Sequence, residues 1–332
     1  MTDTMTALVC ETPGQLQIHQ RPRPADRPGH LRVRVAAIGI CGTDYHIFGG
    51  NQPFLQYPRV MGHELSGHAM ADSTDGRIVK GDLVVVNPYL TCGDCRACRA
   101  GKPNCCENIA VLGVHTDGGM AEEIVVPEGN LYPAGDMDAR AAAMVEFLAI
   151  GAHGVRRAAP APGSDALIVG AGPIGVGAAL FARIAGARVT LRDTSADRLA
   201  LAASIIPDAV TELVSDASDA VFDTVFDATG NIGAMNAGLS HLGHGGAYVL
   251  LSVVKGDLVF ADPEFHKRET TLLASRNATH EDFRHVMDCM ARGLVPVDRI
   301  ATHRTSLTDA VADLPRWAED RGTVVKALIE VA

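Results

Sequence analysis

The chain has 332 residues, 47% of them hydrophobic and 20% charged, with a formal net charge of −10. That length exceeds one ordinary core and points to two domains, and the composition is globular rather than disordered. The negative charge and the lack of any basic run exclude nucleic acid as an expected partner, and no stretch of roughly twenty apolar residues is present to span a membrane.

The opening "MTDTMTALVC" has neither a basic n-region nor an apolar h-region, so no signal peptide is expected. Up to about Val86 the pattern is short and strand-like: "ALVC", "QLQIHQ", "LRVRVAAIGI" and "DLVVV" are separated by Pro- and Gly-rich turns. Cys41 falls at the end of the longest of these segments and begins the run "CGTDYHIFGGNQPFLQYPRVMGHELSG". Cys41, His63 and Glu64 are side-chain types that bind zinc through sulfur, nitrogen and oxygen. A mixed set of this kind suits a catalytic metal that keeps one position open. The alternative is a small buried Cys41 and a satisfied core His63. Thr43 and His46 weigh against that alternative, because such groups can relay a proton away from a hydroxyl held at a metal.

Cys92, Cys95, Cys98 and Cys106 follow a C-x2-C-x2-C-x7-C spacing. The two-residue gaps let successive thiolates converge on one tetrahedral zinc, with the fourth ligand returning from a short loop. Five of the eight cysteines lie between Cys92 and Cys106, which fits metal ligation in a reducing cytoplasm better than a disulfide knot. Cys105, beside the last ligand, is either a bystander or its substitute. "VHTDGGMAEEIVVPEGNLYP" then resumes the strand pattern. "DARAAAMVEFLAIGAHGVRRA" carries apolar residues at helical spacing and predicts one helix. Glu146 lies inside it, either at the end of a solvated face or aimed at the metal; spacing favours neither.

"AAPAPGS" is a hinge. "ALIVGAGPIGVGAALFARIAGARVTLRD" reads as strand (Ala166 to Val169), tight turn, helix, strand. Gly170, Gly172 and Gly175, with Pro173 and Ile174 between the last two, form G-x-G-x-x-G, which lets the backbone approach a pyrophosphate at a helix N-terminus. Asp193 ends the second strand at the distance expected of a ribose-binding acid, and its charge favours NAD over NADP. Arg192 and Arg198 are either counter-charges for a phosphate or solvated side chains. Further alternation, with "TVFDATG" and "GAYVLLSVV" as strands and a helix from about Ile232 to His241, predicts a doubly wound parallel sheet. Arg276 is either a substrate contact or a surface charge. A helix near "SLTDAVADLPRWAEDRG" and a strand "VVKALIEV" complete the chain.

"CGTDYH" followed by "GHELSG" resembles the zinc-dependent medium-chain dehydrogenases, which include alcohol, polyol, sugar-acid and L-threonine dehydrogenases. "GGNQPFLQYPRVMGHE" is most similar to the sugar-acid branch, whereas the turn "HAMADSTDGRIVKGD" is shorter than the family's. The resemblance implies an α/β architecture with a doubly wound (Rossmann) coenzyme domain at 150–275. It implies a mostly β, GroES-like catalytic domain split between 1–149 and 276–332, with a structural zinc lobe at 92–106. Two zinc ions per chain are implied, one on the four lobe cysteines and one on Cys41, His63 and Glu64 or Glu146. A glutamate at 146, as ligand or as partner of the zinc's water, marks polyol and sugar-acid members; ethanol-type members have Cys there. Thr43, the nicotinamide ribose and His46 would form the proton relay. The activity implied is NAD-linked oxidation of a secondary alcohol in a polyol or sugar acid by a cytoplasmic homo-oligomer, dimer or tetramer. L-threonine or a simple alcohol as substrate, or a non-catalytic nucleotide-binding relative, are the alternatives.

Overall fold

The structure is a computed structural model that describes residues 4–52, 55–319 and 322–331. β1 (Thr4–Thr12) and β2 (Gln15–Pro22) form an antiparallel hairpin. β3 (His30–Ile40) follows; Leu31, Val33 and Val35 are buried and alternate with more exposed arginines, while every residue from Ala37 to Ile40 is buried. The first pattern belongs to a half-exposed sheet face, the second to a strand covered on both sides. Then come α1 (Gly42–Phe48), β4 (Arg59–Val60), β5 (Glu64–Ala69), β6 (Leu83–Val86), β7 (Tyr89–Leu90) and α2 (Arg96–Arg99). β8 (Ala110–Val111), β9 (Glu123–Pro127), β10 (Leu131–Pro133) and α3 (Ala139–Ala143) close the N-terminal part. The short β5–β6 turn is closed by its own hydrogen bonds, such as Ser73 Oγ to Asp75 at 2.8 Å, and carries none of the candidate site residues.

The expected single helix around Glu146 is two. Asp138 caps α3 by accepting from the Ala141 N–H, and Met144 ends it with a tight bond from its N–H to the Ala141 carbonyl. α4 (Val145–Ala158) then starts anew, with Glu146 in its first turn. Helical spacing survives the break, so the sequence pattern does not reveal it.

β11 (Asp165–Val169), α5 (Pro173–Ile184), β12 (Arg188–Asp193), α6 (Ala196–Ile205), β13 (Val210–Leu213) and β14 (Phe222–Asp227) begin the alternating part. It continues with α7 (Ile232–Gly238), β15 (Leu242–Leu250), α8 (Asp262–Lys267), β16 (Thr271–Ala274), α9 (His280–Ala291) and α10 (Val297–Ile300). The six strands pair in parallel in the order β13-β12-β11-β14-β15-β16. The order reverses beside β11, the position where doubly wound sheets bind dinucleotides. Leu167, Val225 and Tyr248 are fully buried in its core.

β17 (Ala301–Ser306), α11 (Ala310–Glu319) and β18 (Lys326–Glu330) return to the first sheet, ordered β10-β6-β5-β3-β18-β17 with β9 also on β3. Its core includes Leu8, Val33, Ile38, Val84 and Ile329, all fully buried. The chain divides into residues 1–146 with 300–332, and 147–299. The return to the first unit therefore falls later than the expected position 276. α9 stays with the second unit because Asp282 at its start bonds His153 and Arg156 of α4, and His285 packs against Phe181 of α5 at 5.6 Å between rings. Among the described residues no helix is long and apolar enough to cross a membrane.

Candidate active site

Three neighbouring strands build the first cluster. β5 pairs β3 with Glu64 opposite Gly39, and β18 pairs β3 with Ala327 opposite Ile40, so Lys326 starts β18 beside the end of β3. Lys326 Nζ donates to both Glu64 oxygens at 2.7 Å and to the Ile40 carbonyl at 3.2 Å. Gly39 is required there: a Cβ on it would lie 2.1 Å from Glu64 Oε2. Cys41 follows β3 directly and caps α1. Asp44, fully buried in the same helix, accepts from the Cys41 N–H at 2.9 Å and from the Gly62 N–H at 3.2 Å. It thereby ties the turn carrying Cys41 to the residue before His63. Its Oδ1 is 3.9 Å from His63 Nδ1.

Ligand atoms of Cys41, His63 and Glu64 all lie within 4.8 Å of one another. Glu146 stands outside that group, yet near enough for its charge to act on His63. Its Oε1 accepts from the hydroxyl of buried Tyr89, while Glu146 Oε2 and His63 Nδ1 are buried without a hydrogen-bond partner. Burial works to lower His63, but the charges of Cys41, Asp44 and Glu146 outweigh it and hold the imidazole well above its ordinary value. Burial pushes Glu146 up to about 7; Glu64 adds to the rise, and His63, Tyr89 and Lys326 oppose it. A thiol and three carboxyls thus crowd around one lysine and one imidazole, with two buried polar atoms unmatched. That donor set fits a divalent zinc, which takes sulfur, nitrogen and oxygen together. Thr43, half-buried, and His46, exposed, sit three positions apart on α1 and so on one face of it.

The ligand atoms of Cys92, Cys95, Cys98 and Cys106 also lie within 4.8 Å of one another. The Cys98 N–H donates to Cys95 Sγ and the Cys92 N–H to Cys106 Sγ, each at 3.4 Å. Backbone donors pull the Cys95 thiol down to about 6, while burial and its thiol neighbours push Cys98 up to about 12. Four thiols so placed, one already inclined to ionise, fit a closed zinc site. Cys105 is exposed and outside the group.

In the second unit, Gly170 has φ +99°, and a Cβ on Gly175 would lie 1.7 Å from the Gly170 carbonyl oxygen. A Cβ on Gly172 would meet nothing within 4 Å, so the turn is open at the residue that caps α5, just before Pro173 and Ile174. Asp193, buried at the end of β12, accepts from the Ala171 N–H at 2.7 Å and the Ser195 N–H at 2.9 Å. Arg192 is not a solvated side chain. It is buried, ion-paired with Glu212 at 2.7 Å and within 3.3 Å of the ring nitrogens of His241. Successive residues of a strand face opposite ways, so Arg192 points away from the Asp193 carboxylate. Arg198 is half-buried in the first turn of α6; Arg276 is exposed.

Sequence reasoning did not single out Asp44, Tyr89 or Lys326. Asp44 had a signal: an acid three residues past a capping position. The partners of Tyr89 and Lys326 are distant in the chain, so local pattern carried none.

Two family profiles match the chain: "Alcohol dehydrogenase GroES-like domain" over residues 27–136 and "Zinc-binding dehydrogenase" over 173–292. L-galactonate-5-dehydrogenase of Escherichia coli (strain K12) is 43% identical, covering 98% of this chain and 99% of that protein. A short chain alcohol dehydrogenase of Escherichia coli CFT073, complexed with NADH, superposes with a TM-score of 0.92 at 29% identity over 99% of both chains. A putative zinc-binding dehydrogenase of Sinorhizobium meliloti 1021, bound to NADP, gives 0.88 at 30% identity over 98% of this chain and 99% of the other.

Proposed function

Because the chain belongs to the zinc-binding dehydrogenases with an alcohol dehydrogenase GroES-like domain, we propose that it oxidises a secondary alcohol of a sugar acid or polyol to the ketone, with L-galactonate as the prototype substrate and NAD⁺ as acceptor. The observation that carries this reading is the Cys41–His63–Glu64 group with the half-satisfied Glu146 beside it. The sequence similarity to L-galactonate-5-dehydrogenase supports the substrate class.

Cys41 and His63 would hold the zinc, with Glu64 or Glu146 completing the set. Both Glu64 oxygens already accept from Lys326, and Glu146 has an oxygen to spare, which favours Glu146. When bound, zinc supplies a Lewis acid that polarises the substrate oxygen and eases loss of its proton. That proton would pass through Thr43 and the nicotinamide ribose to exposed His46 and then to solvent. NAD⁺ supplies the hydride acceptor. The Gly170–Gly175 turn takes the pyrophosphate against the start of α5, where Gly172 leaves room for it. Asp193 takes the ribose hydroxyls, with Arg198 alongside. A second zinc would sit on Cys92, Cys95, Cys98 and Cys106 and hold the lobe closed, giving two per chain. The thiol clusters fit a reducing compartment, which supports a cytoplasmic location. Exposed Val253, Val259 and Phe260 support a homo-oligomer, dimer or tetramer.

The test is NAD⁺ reduction by the zinc-loaded protein over aldonates including L-galactonate, polyols, L-threonine and short alcohols. The highest kcat/KM is expected among sugar acids or polyols. A lead by L-threonine or a short alcohol overturns the substrate class, and no turnover anywhere overturns the catalytic reading in favour of a nucleotide-binding relative.

A further inference from the structure

We propose that Tyr89 is the positioning residue of this centre: its hydroxyl holds Oε1 of Glu146 so that Oε2 is presented to the zinc or to the substrate hydroxyl bound there. The inference rests on the reading of Glu146 given above. Tyr89 and Glu146 are 5% and 2% exposed, so their bond is made away from water, where it is stronger and costlier to leave unmade.

Tyr89 is built as a rigid strut. It lies in β7, paired with Val111 of β8, two strands that frame the base of the cysteine lobe. Its N–H donates to Asn87 Oδ1 at 3.0 Å, and its carbonyl accepts from Asn130 Nδ2 at 3.0 Å. The same Asn130 nitrogen holds the Asn87 carbonyl at 2.8 Å. Glu146, by contrast, has no backbone anchor of this kind for its carboxylate at the start of α4, and Lys326 and His63 both attract it. Two glutamates therefore compete for one lysine and one metal. Lys326 takes Glu64, and the Tyr89 hydroxyl keeps Glu146 from swinging towards the same ammonium. Tyr89 never touches the reacting atoms; it acts through the carboxylate, and it makes the base of the cysteine lobe part of the catalytic centre's support.

The test compares Tyr89→Phe, Glu146→Gln and the double variant in the full-length protein. It reads zinc affinity by chelator competition, steady-state kinetics and thermal stability. Tyr89→Phe keeps the ring and removes only the donor, so the melting temperature and the KM for NAD⁺ should barely move. The more weakly held zinc should be lost about tenfold more readily and kcat should fall about tenfold, the lower end of the cost of removing a group that orients a ligand. In the Glu146→Gln background the same change should add nothing. Equal losses in both backgrounds, or zinc affinity and kcat within about twofold of the parent, overturn the role of Tyr89 while leaving the function standing. If Glu146→Gln alone leaves zinc affinity and turnover unchanged, the reading of Glu146 falls, and Tyr89 with it.

Discussion

Lys326 and Glu64, 262 positions apart in the chain, meet as a buried ion pair in which both carboxylate oxygens lie 2.7 Å from one ammonium. The two side chains are 1% and 0% exposed, so neither charge has water as a substitute partner. The pair joins the outer strands of the β5-β3-β18 trio across Gly39, whose missing side chain is the space the carboxylate fills.

Removing one partner leaves the other buried and unmatched. Lys326→Met is therefore expected to destabilise the protein by about 3–5 kcal/mol, the usual cost of breaking such a pair. Adding Glu64→Gln should restore much of it, because two neutral groups replace two charges. Gly39→Ala should mimic the loss by pushing the carboxylate off the lysine. Urea unfolding of the three variants checks this, and a Lys326→Met protein as stable as the parent would show that the pair contributes nothing net.

The two cysteine-bearing clusters should separate on metal analysis. Cys41→Ser is expected to abolish turnover and remove about one zinc per chain while NADH still binds, since a catalytic site need not stabilise the fold. Cys95→Ser should instead lower stability and remove the other zinc, because a closed tetrahedral site contributes folding energy. Inductively coupled plasma analysis alongside thermal melts distinguishes them. Two zincs retained in soluble Cys95→Ser would count against the lobe.

These groups differ in how far sequence could find them. The lobe was legible because its ligands sit within one short loop, and spacing alone brings them together. The Gly170–Gly175 turn was legible because strand, turn, helix and acid follow in order. Lys326, Tyr89 and the true extent of the second unit were not, because each depends on strands or helices joined across distant sequence. The break at Met144 was hidden because the apolar period runs through it unchanged. The direction of Arg192 was not legible, because local sequence carries its charge alone; the strand's alternation turns it towards Glu212 and His241.

Stability should depend on pH through Asp282. Burial would raise its carboxyl, but hydrogen bonds from His153, Arg156 and Thr279 outweigh that and hold it well below the usual carboxylate range. A depressed folded pKa stabilises the protein above the unfolded value, near 4, and the contribution is lost as pH falls through the folded value. Asp282→Asn should cost about 2 kcal/mol at pH 7, less than for a fully buried pair because Arg156 is 41% exposed. The gap between variant and parent should narrow as pH drops below about 4. Denaturation curves at pH 7 and pH 3 would read this, and a gap that stays constant would remove Asp282 as the cause.

Cofactor choice is expected to turn on Asp193 and on which arginine could meet a phosphate there. The Asp193 carboxylate accepts from the Ala171 N–H of the glycine turn and from the Ser195 N–H at the cap of α6, and its other lone pairs would take the ribose hydroxyls of NAD. A charged acceptor makes those bonds relatively strong. With NADP the same carboxylate would face a phosphate, and like charges at contact are costly. Arg192 cannot relieve this, because it is buried against Glu212 and His241. Arg198, in the first turn of α6, remains within the same local segment. Preference for NAD, short of absolute exclusion of NADP, is the expected result. Asp193→Ser should weaken NAD by about 1–2 kcal/mol, the scale of a hydrogen bond to a charged group, and should improve NADP by removing the repulsion. Because Arg198 alone would then meet the phosphate, Asp193→Ser/Arg198→Ala should lose that improvement, whereas a change at Arg192 should act through stability. Steady-state kcat/KM with both cofactors decides it: a parent enzyme that already prefers NADP would mean that Asp193 does not face the ribose.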